Sequence, residues 1–150
     1  MIYQRQRHEH RPDQGVYGDC HRTAYACVLD LPLDEVPNFG HGCPTSDEFH
    51  RRCNEFLLGR GLRRFCIMIT EGDFSSWLAW MKTHFSDVVY ILGARSPGGT
   101  MHSVVCRGGR VILDPYTGTV DDGTLSSLDS DRGLYRIEFF VPASPDLEEA

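Results

Sequence analysis

The chain has 150 residues, 41% of them apolar, which suits one compact domain with a substantial core. Its 15 Lys and Arg stand against 21 Asp and Glu, and a net charge of −6 argues against a general nucleic-acid or anionic-membrane binder. No apolar run of about 18 residues is present to span a membrane, and the opening MIYQRQRHEHRPDQG lacks the apolar core of a secretory signal, so a reducing cytoplasm is the expected location.

Residues 1–18 are polar, with little periodicity, and read as an extended lead-in. A helix fits Asp19 to Leu29, with Ala24, Cys27 and Val28 as its apolar stripe and Asp19 as its N-cap. Leu31-Pro32 stops it, and a Pro- and Gly-rich loop follows to Pro44. Thr45-Ser-Asp-Glu48 is a capping box that opens a second helix, with Phe49, Cys53, Phe56 and Leu57 on one face, ended by Gly59 and Gly61. Arg51-Arg52 and Arg60 to Arg64 mix with acids and leucines, as on a solvated helix face and its exit.

Leu62 to Ile69 reads as a strand, and Phe74 to His84 as a third helix with Trp77, Trp80 and Met81 inward. Asp87 to Ala94 reads as a strand buried on both faces. His102 to Arg107 and Arg110 to Leu113 form a hairpin through Gly108-Gly109, and Tyr135 to Val141 is a last strand. The whole is expected to be one α+β domain over 1–150, with helices first and a mostly antiparallel sheet after. An extended lead-in over 1–13 and a frayed tail over 143–150 flank it.

The chemistry is expected at Cys20. A thiol at a helix start, beside a histidine, becomes a nucleophile, and the glycine of Gly18-Asp19-Cys20 lets the chain turn sharply into the helix. His102 opens one hairpin strand and Asp114, before Pro115, closes the other. A two-residue turn at Gly108-Gly109 sets His102 and Asp114 on opposite faces. A three-residue loop restores them to one face, directly paired if it is Arg107 to Gly109 and diagonal if it is Gly108 to Arg110. Gln14, six residues before Cys20, together with the Cys20 backbone N–H, supplies donors for an oxyanion.

The order Gln14, Cys20, His102, Asp114 resembles the papain-like cysteine peptidases. It is most similar to small bacterial members such as the bacteriocin-leader peptidase domains of transporters, whose H-x-V-V strand and D-P turn match His102-Ser-Val-Val105 and Asp114-Pro115. Residues 18–39, GDCHRTAYACVLDLPLDEVPNF, also resemble phage and bacterial proteins of that superfamily. The likeness covers residues 14–39 and 100–118, and His21 departs from the small or aromatic residue usual after the nucleophile. It implies a papain-like fold with the nucleophile's helix packed on the sheet. It also implies a Cys20–His102–Asp114 triad that cleaves a peptide, isopeptide or related amide through a thioester, with no cofactor. Cleft loops at residues 37–46 and 94–101 are expected to set specificity.

Other readings compete. His41, Cys43, His50 and Cys53 are zinc-type ligands, but not at a knuckle spacing, and no metal is expected. The fold could instead be a catalytically silent binding or inhibitory module acting on a host factor. Trp77, Trp80 and Tyr90 read as core rather than a ligand platform, and Asp121-Asp122 and Asp129 to Asp131 as turn residues rather than a calcium loop. Five of the six cysteines are expected to pack.

Overall fold

The computed structural model describes residues 1–97, 99–118 and 133–144. Its helices are α1 (Cys20–Val28), α2 (Ser46–Leu58) and α3 (Glu71–His84). Its strands are β1 (Leu62–Thr70), β2 (Val89–Arg95), β3 (Met101–Arg107), β4 (Arg110–Leu113) and β5 (Leu134–Pro142). Three helices on a five-stranded sheet make an α+β architecture. The strands run in the order β1-β5-β2-β3-β4, with every pairing antiparallel. The acidic pairs at 121–122 and 129–131 and the tail from 145 onward lie outside the described residues.

Alternation along the strands divides the core in two. Ile91, Val105 and Leu113 point to the face covered by α1 and α2. Tyr90, Leu92, Val104, Cys106 and Ile137 point to the opposite face, covered by α3 through Phe74 and Met81. Strand β2 is central and covered on both sides, which accounts for its continuous apolar run. Helix α1 buries far more than the expected stripe: residues 23 to 27 are all inaccessible, because it is wedged between the sheet, α2 and the turn at Leu33–Glu35.

Local signals explain most boundaries. Thr45 accepts from the Glu48 N–H at 3.2 Å, but the Glu48 carboxylate turns to Arg51 and Arg52 instead of closing the capping box. Helix α3 starts three residues earlier than expected, with Thr70 at the N-cap position and its hydroxyl bonded to Asp73 at 2.9 Å. Its inward face is Phe74, Trp77, Leu78 and Met81. Trp80 lies one position off that stripe, half exposed, against His84 and Phe85, so the expectation that it faces inward is corrected. Cys66 is corrected as well: β1 is an edge strand, and its outer side leaves Cys66 exposed. Among the described residues no helix is long and apolar enough to cross a membrane.

Candidate active site

Cys20 is the first residue of α1 and is half-exposed. Asp19 occupies the N-cap position, yet its side chain makes no cap bond. Its Oδ1 instead accepts from the Arg7 and His8 N–H groups at 3.0 and 2.9 Å. A buried carboxylate at this point needs donors, and the lead-in supplies them.

That lead-in is a strap. The Gln4 side chain bonds Leu31 and Leu33, the Gln6 N–H bonds the Pro115 carbonyl at 2.8 Å, and Arg5 bonds the Tyr116 carbonyl at 2.9 Å. It passes so close to the start of α1 that a Cβ on Gly18 would lie 2.9 Å from the His10 Cβ. The strap thus joins the start of α1 to the turn that carries Asp114.

His102 Nε2 lies 2.8 Å from Asp114 Oδ1, and the Tyr116 N–H donates to the same oxygen at 2.8 Å. With Nε2 engaged by Asp114, the other ring nitrogen is left for the cleft that His102 shares with Cys20. Burial works to lower the His102 pKa, but the bonds to Asp114 and Cys20 and the charges of both outweigh it, raising it to about 9. The imidazolium is therefore the favoured form of His102 near neutrality.

The hairpin achieves this differently from either loop expected. Arg107 pairs with Arg110, so the loop is a two-residue turn, with Gly108 at φ 51° and Gly109 at φ 79°. Parity is restored inside the ladder. Cys106 pairs with Val111 but Val105 with Leu113, leaving Ile112 as the extra residue of a β-bulge. Continuing that register sets Asp114 level with Val104, on the same face as His102 and diagonal to it.

Cys20 and His102 open into a cleft of about 400 Å³, with Gln6 and His10 on the strap side and Pro97 and Met101 on the other. Of the two loops expected to shape specificity, the segment at 94–101 lines this cleft and the one at 37–46 does not, because Phe39 turns into the core. Gln14 is also corrected. It sits exposed on the short turn Pro12–Gln14, inside the Arg11↔Val16 bridge, and does not line the cleft. The glutamine that lines it is Gln6. Counting along the chain misses Gln6, because the strap passes the cleft before doubling back to Cys20.

The possible zinc ligands are not gathered. Cys53 is buried, its thiol pushed up to about 12 first by burial, and the Cys43 thiol donates to the Thr45 carbonyl at 3.1 Å. Among the described residues no three His, Cys, Asp or Glu side chains converge as a metal site. Comparison with protein-family models, curated proteins and solved structures finds no match for this chain.

Proposed function

We propose that the protein is a papain-like cysteine hydrolase, with Cys20 as nucleophile, His102 as general base and acid, and Asp114 as the group that orients the ring. The observation that carries this reading is the His102–Asp114 pair, 2.8 Å apart, with His102 and the Cys20 thiol lining one cleft. An antiparallel sheet whose edge hairpin faces the start of a packed helix supports the same reading.

In the reaction His102 holds the Cys20 proton, and the thiolate attacks a substrate carbonyl. The oxyanion lies against the backbone N–H of Cys20, at the positive end of α1. His102 passes its proton to the leaving amine as the tetrahedral intermediate collapses to a thioester. His102 then takes a proton from water, the hydroxide adds to the thioester, and expulsion of the thiolate releases the acid.

The test is a peptidyl vinyl sulfone, with the adduct mapped by peptide mass. Labelling at Cys20 that disappears in Cys20→Ala and falls sharply in His102→Ala is the expected result. Labelling of Cys20 no faster than that of the exposed Cys66 would exclude the hydrolase and favour a binding module.

A further inference from the structure

The residues that follow the two reacting groups are bonded to each other. His21 comes after Cys20 on α1, Ser103 comes after His102 on β3, and His21 Nδ1 lies 3.1 Å from Ser103 Oγ. Both are buried, at 7% and 4% exposed, and neither lines the cleft. The second ring nitrogen of His21, Nε2, has no hydrogen-bond partner and faces Glu138 Oε2 at 3.6 Å. Glu138 is held on its other sides by Arg136 Nε at 2.6 Å, the Tyr25 hydroxyl at 3.2 Å and Arg64 Nη1 at 3.6 Å. The sheet makes room for this group, since Gly93 lies between Ser103 and Arg136 in the ladder, and a Cβ there would meet the Arg136 guanidinium at 3.4 Å.

Apolar side chains would fill this position at lower cost, because a buried polar group must be desolvated and then satisfied. The adjoining row of the sheet carries Ile91 and Val105 beside Glu138. What the polar group supplies is a fixed, directional link between α1 and β3, and it lies one residue from each reacting atom.

We propose that His21 and Ser103 form a positioning pair that sets the approach of the Cys20 thiol to His102, with Glu138 fixing the His21 tautomer. This rests on the Cys20–His102 reading above. The Glu138 carboxylate opposite Nε2 keeps the proton on that nitrogen, so Nδ1 accepts and the Ser103 hydroxyl donates. His21 stays neutral: burial is the main cause, and the Arg136, Arg64 and His50 charges add to it, so the link does not switch as His102 titrates. Geometry is the quantity at stake, since a displacement of about 1 Å at reacting atoms costs about a hundredfold in rate.

The test is the rate of iodoacetamide alkylation at Cys20, mapped by peptide mass in the full chain across a pH series. This rate reports how well His102 is placed to take the Cys20 proton as the sulfur is alkylated. Ser103→Ala is expected to lower it about tenfold at about pH 6, the equivalent of one hydrogen bond, without a matching loss of folded protein. Ser103→Thr, which keeps the hydroxyl, is expected to stay within about twofold of wild type. A Ser103→Ala rate equal to wild type throughout, or a Ser103→Thr rate as low as that of Ser103→Ala, overturns the proposal. If Ser103→Ala does not fold, His21→Asn decides, because it retains a polar group near Nδ1. Its low-pH reactivity must then exceed that of His21→Leu, and equality overturns the proposal. Wild type no faster than His102→Ala would instead remove the Cys20–His102 reading itself.

Discussion

His102 and Asp114 meet at 2.8 Å because of a residue that touches neither of them chemically, the bulged Ile112. With the tight Gly108-Gly109 turn and no bulge, the Asp114 side chain would leave the far face of the sheet. The dyad is thus a product of strand register, which makes the role of each partner separable by substitution.

Asp114 contributes both orientation and charge, and two variants divide them. Asparagine keeps an acceptor for His102 and for the Tyr116 N–H but removes the charge. Asp114→Asn should lower the His102 titration midpoint from about 9, since the burial that favours the neutral ring then meets less opposition. Its rate should stay within about tenfold of wild type, whereas Asp114→Ala, which also frees the ring, should lose about a hundredfold. An NMR titration of the His102 ring, with the alkylation rate measured alongside, checks both. An unmoved midpoint in Asp114→Asn would contradict the assignment.

Two histidines should give stability a maximum in pH. His102 is raised from 6.5 to about 9 in the folded state, so its contribution is complete below pH 6.5 and is lost as pH rises through about 9. His21 is lowered well below 6.5, so its contribution is complete above pH 6.5 and is lost as pH falls below it. Each limb has a limiting slope of about 1.4 kcal/mol per pH unit per proton. Urea unfolding should show the alkaline limb flatten in His102→Gln and the acid limb flatten in His21→Asn.

The Gly108-Gly109 turn should tolerate no side chain. Both glycines have positive φ, a Cβ on Gly109 would lie 2.5 Å from the Leu78 carbonyl oxygen, and one on Gly108 would run into the Ser86 carbonyl. These are backbone atoms, which have little freedom to move aside. Strain plus overlap should cost about 2–4 kcal/mol for either alanine variant, read from chemical denaturation midpoints. A change under about 0.5 kcal/mol would mean the turn is not packed against the end of α3 and the segment after it.

What could be read beforehand were features marked locally. The Thr45 cap, the glycine turn, the apolar β2 and the helix start at Cys20 each carry their signal within a few residues. What escaped depends on chain segments far apart. Ile112 carries no mark of a bulge, because a β-branched residue suits a regular strand equally well. Gln6 reaches the cleft because its N–H bonds the Pro115 carbonyl and the neighbouring Arg5 bonds that of Tyr116, contacts which no spacing along the chain encodes. Asp19 looks like a helix cap in sequence, and only the returning strap shows why its carboxylate faces away from the helix. Nothing near His21 in the sequence marks its side chain as turned inward to Ser103, 82 residues away.

The six thiols should react in an order that reports the site directly. Cys27 and Cys53 are buried, with pKa values pushed up to about 11 and about 12 chiefly by burial, and Cys106 is buried too, so none should label before unfolding. Cys66 is exposed on β1, but partial desolvation and then the Glu138 charge hold its thiol above the usual value. Cys43 is half-exposed with its S–H committed to the Thr45 carbonyl. Cys20 alone shares a cleft with His102, so it should be labelled well ahead of Cys43 and Cys66. His102→Ala should move Cys20 into that slower group while leaving the other five unchanged. Mass mapping of a timed iodoacetamide reaction resolves all six in one experiment, and Cys66 labelling ahead of Cys20 would remove the thiol from the proposed chemistry.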